Sequence, residues 1–138
     1  MRYLTLEEAS VFHGHLGPYL IIGYRAGELA RKILNPSNEF DLQAKVTLPL
    51  KTPYTCIVDG IQCSTKCTLG KLNIELVDSG SICNIVIEFK RKSSNKTLKL
   101  KVRESVIRKL HEITDINEGA RWVKTLSVED LFEIVMNT

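Results

Sequence analysis

Long apolar runs are missing from this 138-residue sequence, and aliphatic stretches such as Leu20-Ile21-Ile22 fall far short of the roughly 20 residues a bilayer-crossing helix needs. Met1-Arg2-Tyr3-Leu4 leads straight into acidic residues rather than into a signal-peptide core, which points to a cytoplasmic protein with no membrane partner. Charge excess is also small. The formal net charge of +3 is too little by itself to argue for a polyanionic partner. Cysteine is sparse: four residues with no export signal read as reduced thiols for ligation, catalysis or burial, not as a disulfide framework. Against roughly 100–200 residues per domain, the length leaves no room for a second full core. One domain over residues 1–138 follows, and most multidomain enzymes are excluded.

With 43% hydrophobic and 25% charged residues, the chain has the composition of a folded globular protein. Thr5 and Glu8 have the spacing of a capping box, so a helix starts near Leu6 and ends near Phe12. His13-Gly14-His15-Leu16-Gly17 interrupts it, and Pro18 suits the first turn of a second helix reaching Leu34, where Asn35-Pro36 stops it. Gly23, Gly27 and Ala30 leave that helix a stripe nearly free of side chains, open to close approach by another backbone. Asp41–Leu50 alternates as a half-buried strand, Tyr54 to Ser64 reads as a helix, and Asn73–Val77 as a strand. Ile82–Phe89 and Lys96–Val102 form a hairpin around Ser93-Ser94-Asn95. Helices at Glu104–Glu112 and Glu118–Lys124 precede a last one, capped by Ser127 and running through Met136. The expected fold is α+β: N-terminal helices, a mixed or antiparallel sheet, and C-terminal helices.

Several side chains carry chemistry. His13 and His15 lie two apart in a loop just ahead of a helix N-terminus, whose partial positive charge favours neutral rings able to donate a lone pair to a metal. Cys56, Cys63 and Cys67 fall within ~40° of one another around a helix axis at ~100° per residue. A loop position would free Cys67 to meet the histidines, whereas Cys63 is the first candidate for an inert core thiol. Asp59, one turn from Cys56, could orient an imidazole N–H. Cys83, alternating inside a strand, belongs to the core. Lys71 after Gly70 invites a phosphate-loop reading, but Thr65 and Leu72 stand where a Walker motif requires Gly and Ser or Thr, and that reading is rejected. Residues 90–109 hold nine basic residues and one acid, yet Phe89 is the only nearby aromatic, which favours a solvated hairpin over a nucleic-acid surface.

The segments Phe12–Gly27 and Cys56–Lys71 together resemble the two signatures of the FmdE-like family, which takes its name from a component of formylmethanofuran dehydrogenase. The first resembles its His-Gly-His-x-(Cys or Gly)-Pro approach to a long helix. The second resembles its Cys-x-x-Asp-Gly-Ile-Gln…Thr-x-Cys-Thr-x-Gly-Lys block. Two departures are visible: Gly17 stands where many relatives have cysteine, and no cysteine follows Cys83, so the C-terminal zinc finger of many relatives is absent. The resemblance implies a core domain forming intertwined homodimers, a place in a larger oxidoreductase complex, and a metal or redox site where the segments meet. Its metal would be zinc or another transition metal, with His15 and Cys67 the foremost ligands and His13 and Cys56 next. Cys67, His15 and Asp59 would be the catalytic group. Because formyl oxidation needs a molybdenum or tungsten protein that so small a chain cannot itself provide, the expected role is accessory or stand-alone, in one-carbon or redox metabolism. Two alternatives stand beside it: a metal-free thiol enzyme or redox protein using Cys67 or Cys56, and a dimeric interaction or nucleic-acid module using the basic hairpin.

Overall fold

The computed structural model describes residues 1–137. Helix α1 (Leu6–His13) starts at a capping box in which Thr5 Oγ1 accepts from the Glu8 amide at 3.1 Å and Glu8 Oε1 accepts from the Thr5 amide at 3.0 Å. Gly14, at φ 110°, ends it in a conformation that L side chains rarely adopt. Helix α2 (Pro18–Leu34) has proline in its first turn and stops at left-handed Asn35. Strand β1 (Leu42–Leu48), helix α3 (Cys56–Thr65) and strand β2 (Ile74–Asp78) make a β-α-β unit with parallel strands. Then come β3 (Val86–Arg91), β4 (Thr97–Val102), α4 (Glu104–Glu112), α5 (Ile116–Thr125), the single-turn α6 (Val128–Leu131) and β5 (Phe132–Asn137). The sheet order is β2-β1-β3-β4-β5, antiparallel throughout except between β1 and β2. The α+β architecture with a mixed sheet is as the sequence implies.

Alternation along the strands decides which sheet face is buried. Leu42, Ala44, Val46, Leu48, Ile87, Phe89, Leu98 and Leu100 enter the core with Ile21, Ile22, Ala26 and Ala30 of α2. The opposite face carries charge in register: Lys45 lies across from Glu75 and Glu88, Glu88 from Lys99, and Lys101 from Glu133. Two lysines of the basic hairpin therefore stand opposite carboxylates on the sheet face.

Two expectations are corrected. The helix beginning at Ser127 lasts one turn, with Ser127 Oγ accepting from the Asp130 amide at 3.0 Å, and Phe132–Asn137 then pairs as β5 along the free edge of β4. Local capping starts this helix, whereas an unpaired neighbouring strand ends it by offering ladder hydrogen bonds to Ile134 and Val135. Cys83 lies in a turn, half-buried, because the polar run continues past Gly80: Ser81 Oγ accepts from the Cys83 amide at 3.2 Å and Ser81 O from the Asn84 amide at 3.2 Å. The strand therefore starts at Val86, not Ile82.

The helix pair α2–α3 is closely packed through glycine. A methyl group on Gly23 would overlap the Ile57 carbonyl, one on Gly27 the Ser64 hydroxyl, and one on Gly60 the Leu20 carbonyl. At Gly23 and Gly60 the obstacle is backbone, which cannot swing aside as a side chain can, so the interhelical distance is set at these two points. Gly23→Ala should destabilise the protein by about 3 kcal/mol, the upper end of overpacking costs, read as a lower urea midpoint. An unchanged midpoint would show that the helices separate at no cost.

Asp41, just ahead of β1, ties the hairpin to the loop after α2. Its carboxylate accepts from the Ser37 amide (2.9 Å) and hydroxyl (3.0 Å), the Ser93 amide (2.9 Å) and hydroxyl (3.0 Å), and Arg91 Nε (3.2 Å). The Ser37 amide, then the Ser93 bonds and Arg91, hold this carboxyl well below its ordinary value of 3.8. Unfolded chains protonate it first, so its stabilisation is complete above about pH 4 and is lost as pH falls further. Melting temperature should drop with acid below about pH 4 in the native protein, and Asp41→Asn should flatten that dependence while lowering the neutral-pH value.

Candidate functional site

The left-handed turn at Gly14 places His13 at the end of α1 and His15 just beyond it, with ring centroids 4.7 Å apart. α1 runs antiparallel to α3, since Ala9 packs on Cys63 while His13, one turn later, meets Asp59. His13 Nδ1 and Asp59 Oδ2 are 2.6 Å apart. An ionised carboxylate only accepts, so the proton of this bond sits on Nδ1, and in the neutral ring Nε2 is then the nitrogen with the lone pair. That Nε2 is buried and has no hydrogen-bond partner among the described residues. Buried polar atoms nearly always find partners, and an exception calls for an explanation such as strain, a catalytic role, or a water or ion.

Asp59 is itself held. Gln62, one turn on, donates from Nε2 to Asp59 Oδ1 at 3.3 Å and accepts the Leu69 amide on Oε1 at 3.0 Å. Gln62 belongs to the second signature but was given no role there, although its i+3 spacing from Asp59 on a helix was a readable signal. Cys56 opens α3 and borders two cavities: a cleft of about 290 Å³ shared with His13 and Asp59, and a pocket of about 210 Å³ shared with His15, Pro18, Tyr19 and Ile116. Burial, aided by the Asp59 charge, raises the Cys56 thiol above its ordinary range. The third histidine, His111, serves elsewhere, with Nε2 3.0 Å from the Tyr54 hydroxyl.

Cys67 is not part of this arrangement. It lies two residues past the end of α3, whose ten residues rise about 15 Å, while Cys56 and Asp59 sit with the histidines at the other end. Its thiol is fully buried and points at the Leu42 carbonyl at 3.4 Å, and its amide donates to Thr65 Oγ1 at 3.0 Å. Within one chain, Cys67, expected to join His15 as ligand or catalytic partner, is carried away from it: left-handed Lys66 turns the chain inward towards β1. Cys63 is buried with Ala9 and Tyr24. Among the described residues, no group of three or more His, Cys, Asp or Glu side chains is gathered as a ready metal cage.

The sequence matches the FmdE family, described as molybdenum formylmethanofuran dehydrogenase operon, over residues 12–133. The chain belongs to the FmdE family. It is also similar to a protein of Archaeoglobus fulgidus named as a probable S-adenosyl-L-methionine-binding protein, with 30% identity over 107 residues, 75% of this chain. The chain spans 28% of that relative's length. In this FmdE chain the starts of the two signature segments lie side by side, His13 with Cys56 and Asp59 at one cleft and His15 with Cys56 at the next, while the second segment ends remote from them. At Gly17 a Cβ would stand 3.2 Å from His15 Nε2, so glycine leaves that ring edge open where a larger residue would crowd it.

Burial pushes the Cys67 and Cys63 thiols up to about 11. At pH 7 that leaves about one thiolate in 10⁴, against a few per cent for a free cysteine. Iodoacetamide should therefore label Cys67 and Cys63 at least a hundredfold more slowly than a cysteine peptide, with Cys83 reacting first, as mass spectrometry of digests would show. Fast labelling of Cys67 in folded protein would favour the metal-free thiol reading.

Proposed function

We propose that this FmdE-family protein binds a transition metal ion, zinc foremost, where the α1–α2 loop meets the start of α3, with His13, His15 and Cys56 as donors and Asp59 orienting His13. The observation that carries the reading is His13 itself: Nδ1 anchored by a carboxylate and Nε2 buried and unpartnered among the described residues. A metal-bound histidine characteristically donates its second ring N–H to a carboxylate, which fixes the tautomer and raises the basicity of the coordinating nitrogen. Neutral imidazole and thiolate are borderline-soft donors that suit zinc, and capture of the ion would release the Cys56 proton. Bound zinc would supply Lewis acidity or an activated water.

Family membership supports an accessory or stand-alone role in one-carbon or redox metabolism. Val11 and Phe12, both exposed beside His13, support a homodimer that covers them.

Zinc-loaded protein, dialysed and analysed for metal, should hold a stoichiometric ion in the native form and in Cys67→Ala. His13→Ala should lose it, and Asp59→Asn should weaken affinity roughly ten- to a hundredfold. Native protein that retains no zinc, or His13→Ala that retains it fully, would overturn the proposal.

A further inference from the structure

The other end of α3 carries an open groove of about 690 Å³, bordered by Arg2, Tyr3, Glu39, Gln62, Lys66 and Lys71. Its volume falls within the roughly 300–1,000 Å³ of small-molecule sites, and no residue of the proposed metal centre lines it.

Two lysines face this groove with no carboxylate in ion-pair contact. Among the described residues, neither Lys66 nor Lys71 lies within 4.0 Å of a carboxylate, whereas the ion pairs there use arginine or histidine. Lys71 Nζ is positioned by a neutral partner, donating to Thr68 Oγ1 at 2.8 Å, and so keeps its full charge for a ligand. Of the two acids at the rim, Glu8 is committed to the α1 cap and to Arg2 at 3.5 Å, which leaves Glu39 alone against both lysines.

The loop between the lysines is held open. Gln62 takes the Leu69 amide and Asn73 the Thr68 amide, at 3.0 and 2.7 Å. Non-glycine residues in left-handed conformation, Lys66 at φ 67° and Leu72 at φ 57°, bracket it, yet Leu69 and Leu72 stay exposed, so the cost of this backbone is not recovered by burying them. Gly70 has nothing within 4 Å of a built Cβ, which lets a ligand reach the backbone. The Tyr3 ring forms an aromatic wall, with the Arg31 guanidinium 4.3 Å and Lys66 Nζ 5.9 Å from its centroid.

From this geometry we infer that the groove binds a phosphate monoester, its phosphate between Lys66 and Lys71 and its organic part along Tyr3. Lysine binds phosphate as a point charge, and two ammonium groups match a dianion better than a single carboxylate. The site requires no Walker sequence, because side-chain ammonium groups replace the amide cradle. It is independent of the metal reading, sharing with it only Gln62 as a wall.

AMP, adenosine and inorganic phosphate are suitable calorimetric probes on the full chain. AMP should bind saturably, phosphate should compete with it, adenosine should fail to bind, and added salt should weaken AMP. Lys66→Gln and Lys71→Gln should each reduce AMP affinity about tenfold, equivalent to about 1.4 kcal/mol, while His13→Ala, which removes the metal reading, should leave it unchanged. Absence of AMP and phosphate binding at low millimolar concentration, or AMP binding indifferent to both lysine substitutions, would overturn the inference.

Discussion

The hydrogen bond between His13 Nδ1 and Asp59 Oδ2 joins two segments 46 residues apart, and the chemical meaning of the site follows from its direction. Because the carboxylate accepts, the neutral imidazole is committed to one tautomer, whose lone-pair nitrogen is the buried, unpartnered Nε2. Reversed, with Nε2 protonated, the ring would turn its Nδ1 lone pair towards the Asp59 oxygen, and the buried Nε2 could not ligate a metal. Many features of the fold serve to keep the two groups within reach. Gly14 ends α1 so that His13 stays on the last turn, and the glycines of α2 and α3 bring the helices close enough for α1 to lie across α3. Gln62 holds the second oxygen of Asp59 so that the first is presented to the ring.

Helix α3 separates two chemistries that the sequence places within sixteen residues. Its start, with Cys56 and Asp59, faces the histidines, and its end, with Lys66, turns the chain into the core at Cys67 and out again to the Gly70-Lys71 loop. Gln62 stands between, hydrogen-bonded to Asp59 on one side and to the loop amide of Leu69 on the other. The family signature in this segment is thereby one helix with a soft-donor end, a cationic end and a polar spacer.

Much of the architecture was legible because it is local. Thr5 with Glu8, Pro18, and Asn35 each act within a turn of themselves, and the helix bounds they imply are observed within a residue or two. The glycine stripe announced a close approach, though not that α3 would be the partner. What local signals could not carry was competition from distant chain. Phe132–Asn137 keeps the helical start promised by Ser127 for one turn only, because β4 has an open edge. Cys67 shares a helical face with Cys56 on paper, but one left-handed residue at Lys66 ends that periodicity and buries the thiol against Leu42. The convergence of His13, His15, Cys56 and Asp59 could be suspected from residue types; the direction of the His13 bond required the positions of Asp59 and Gln62.

The protonation of His13 is where the metal reading meets its most direct measurement. Long-range ¹H–¹⁵N correlation spectra of the apo-protein should assign His13 to the Nδ1–H tautomer, and zinc addition should shift its Nε2 resonance while leaving the proton on Nδ1. A His13 found as the Nε2–H tautomer, with ring resonances indifferent to zinc, would contradict that reading.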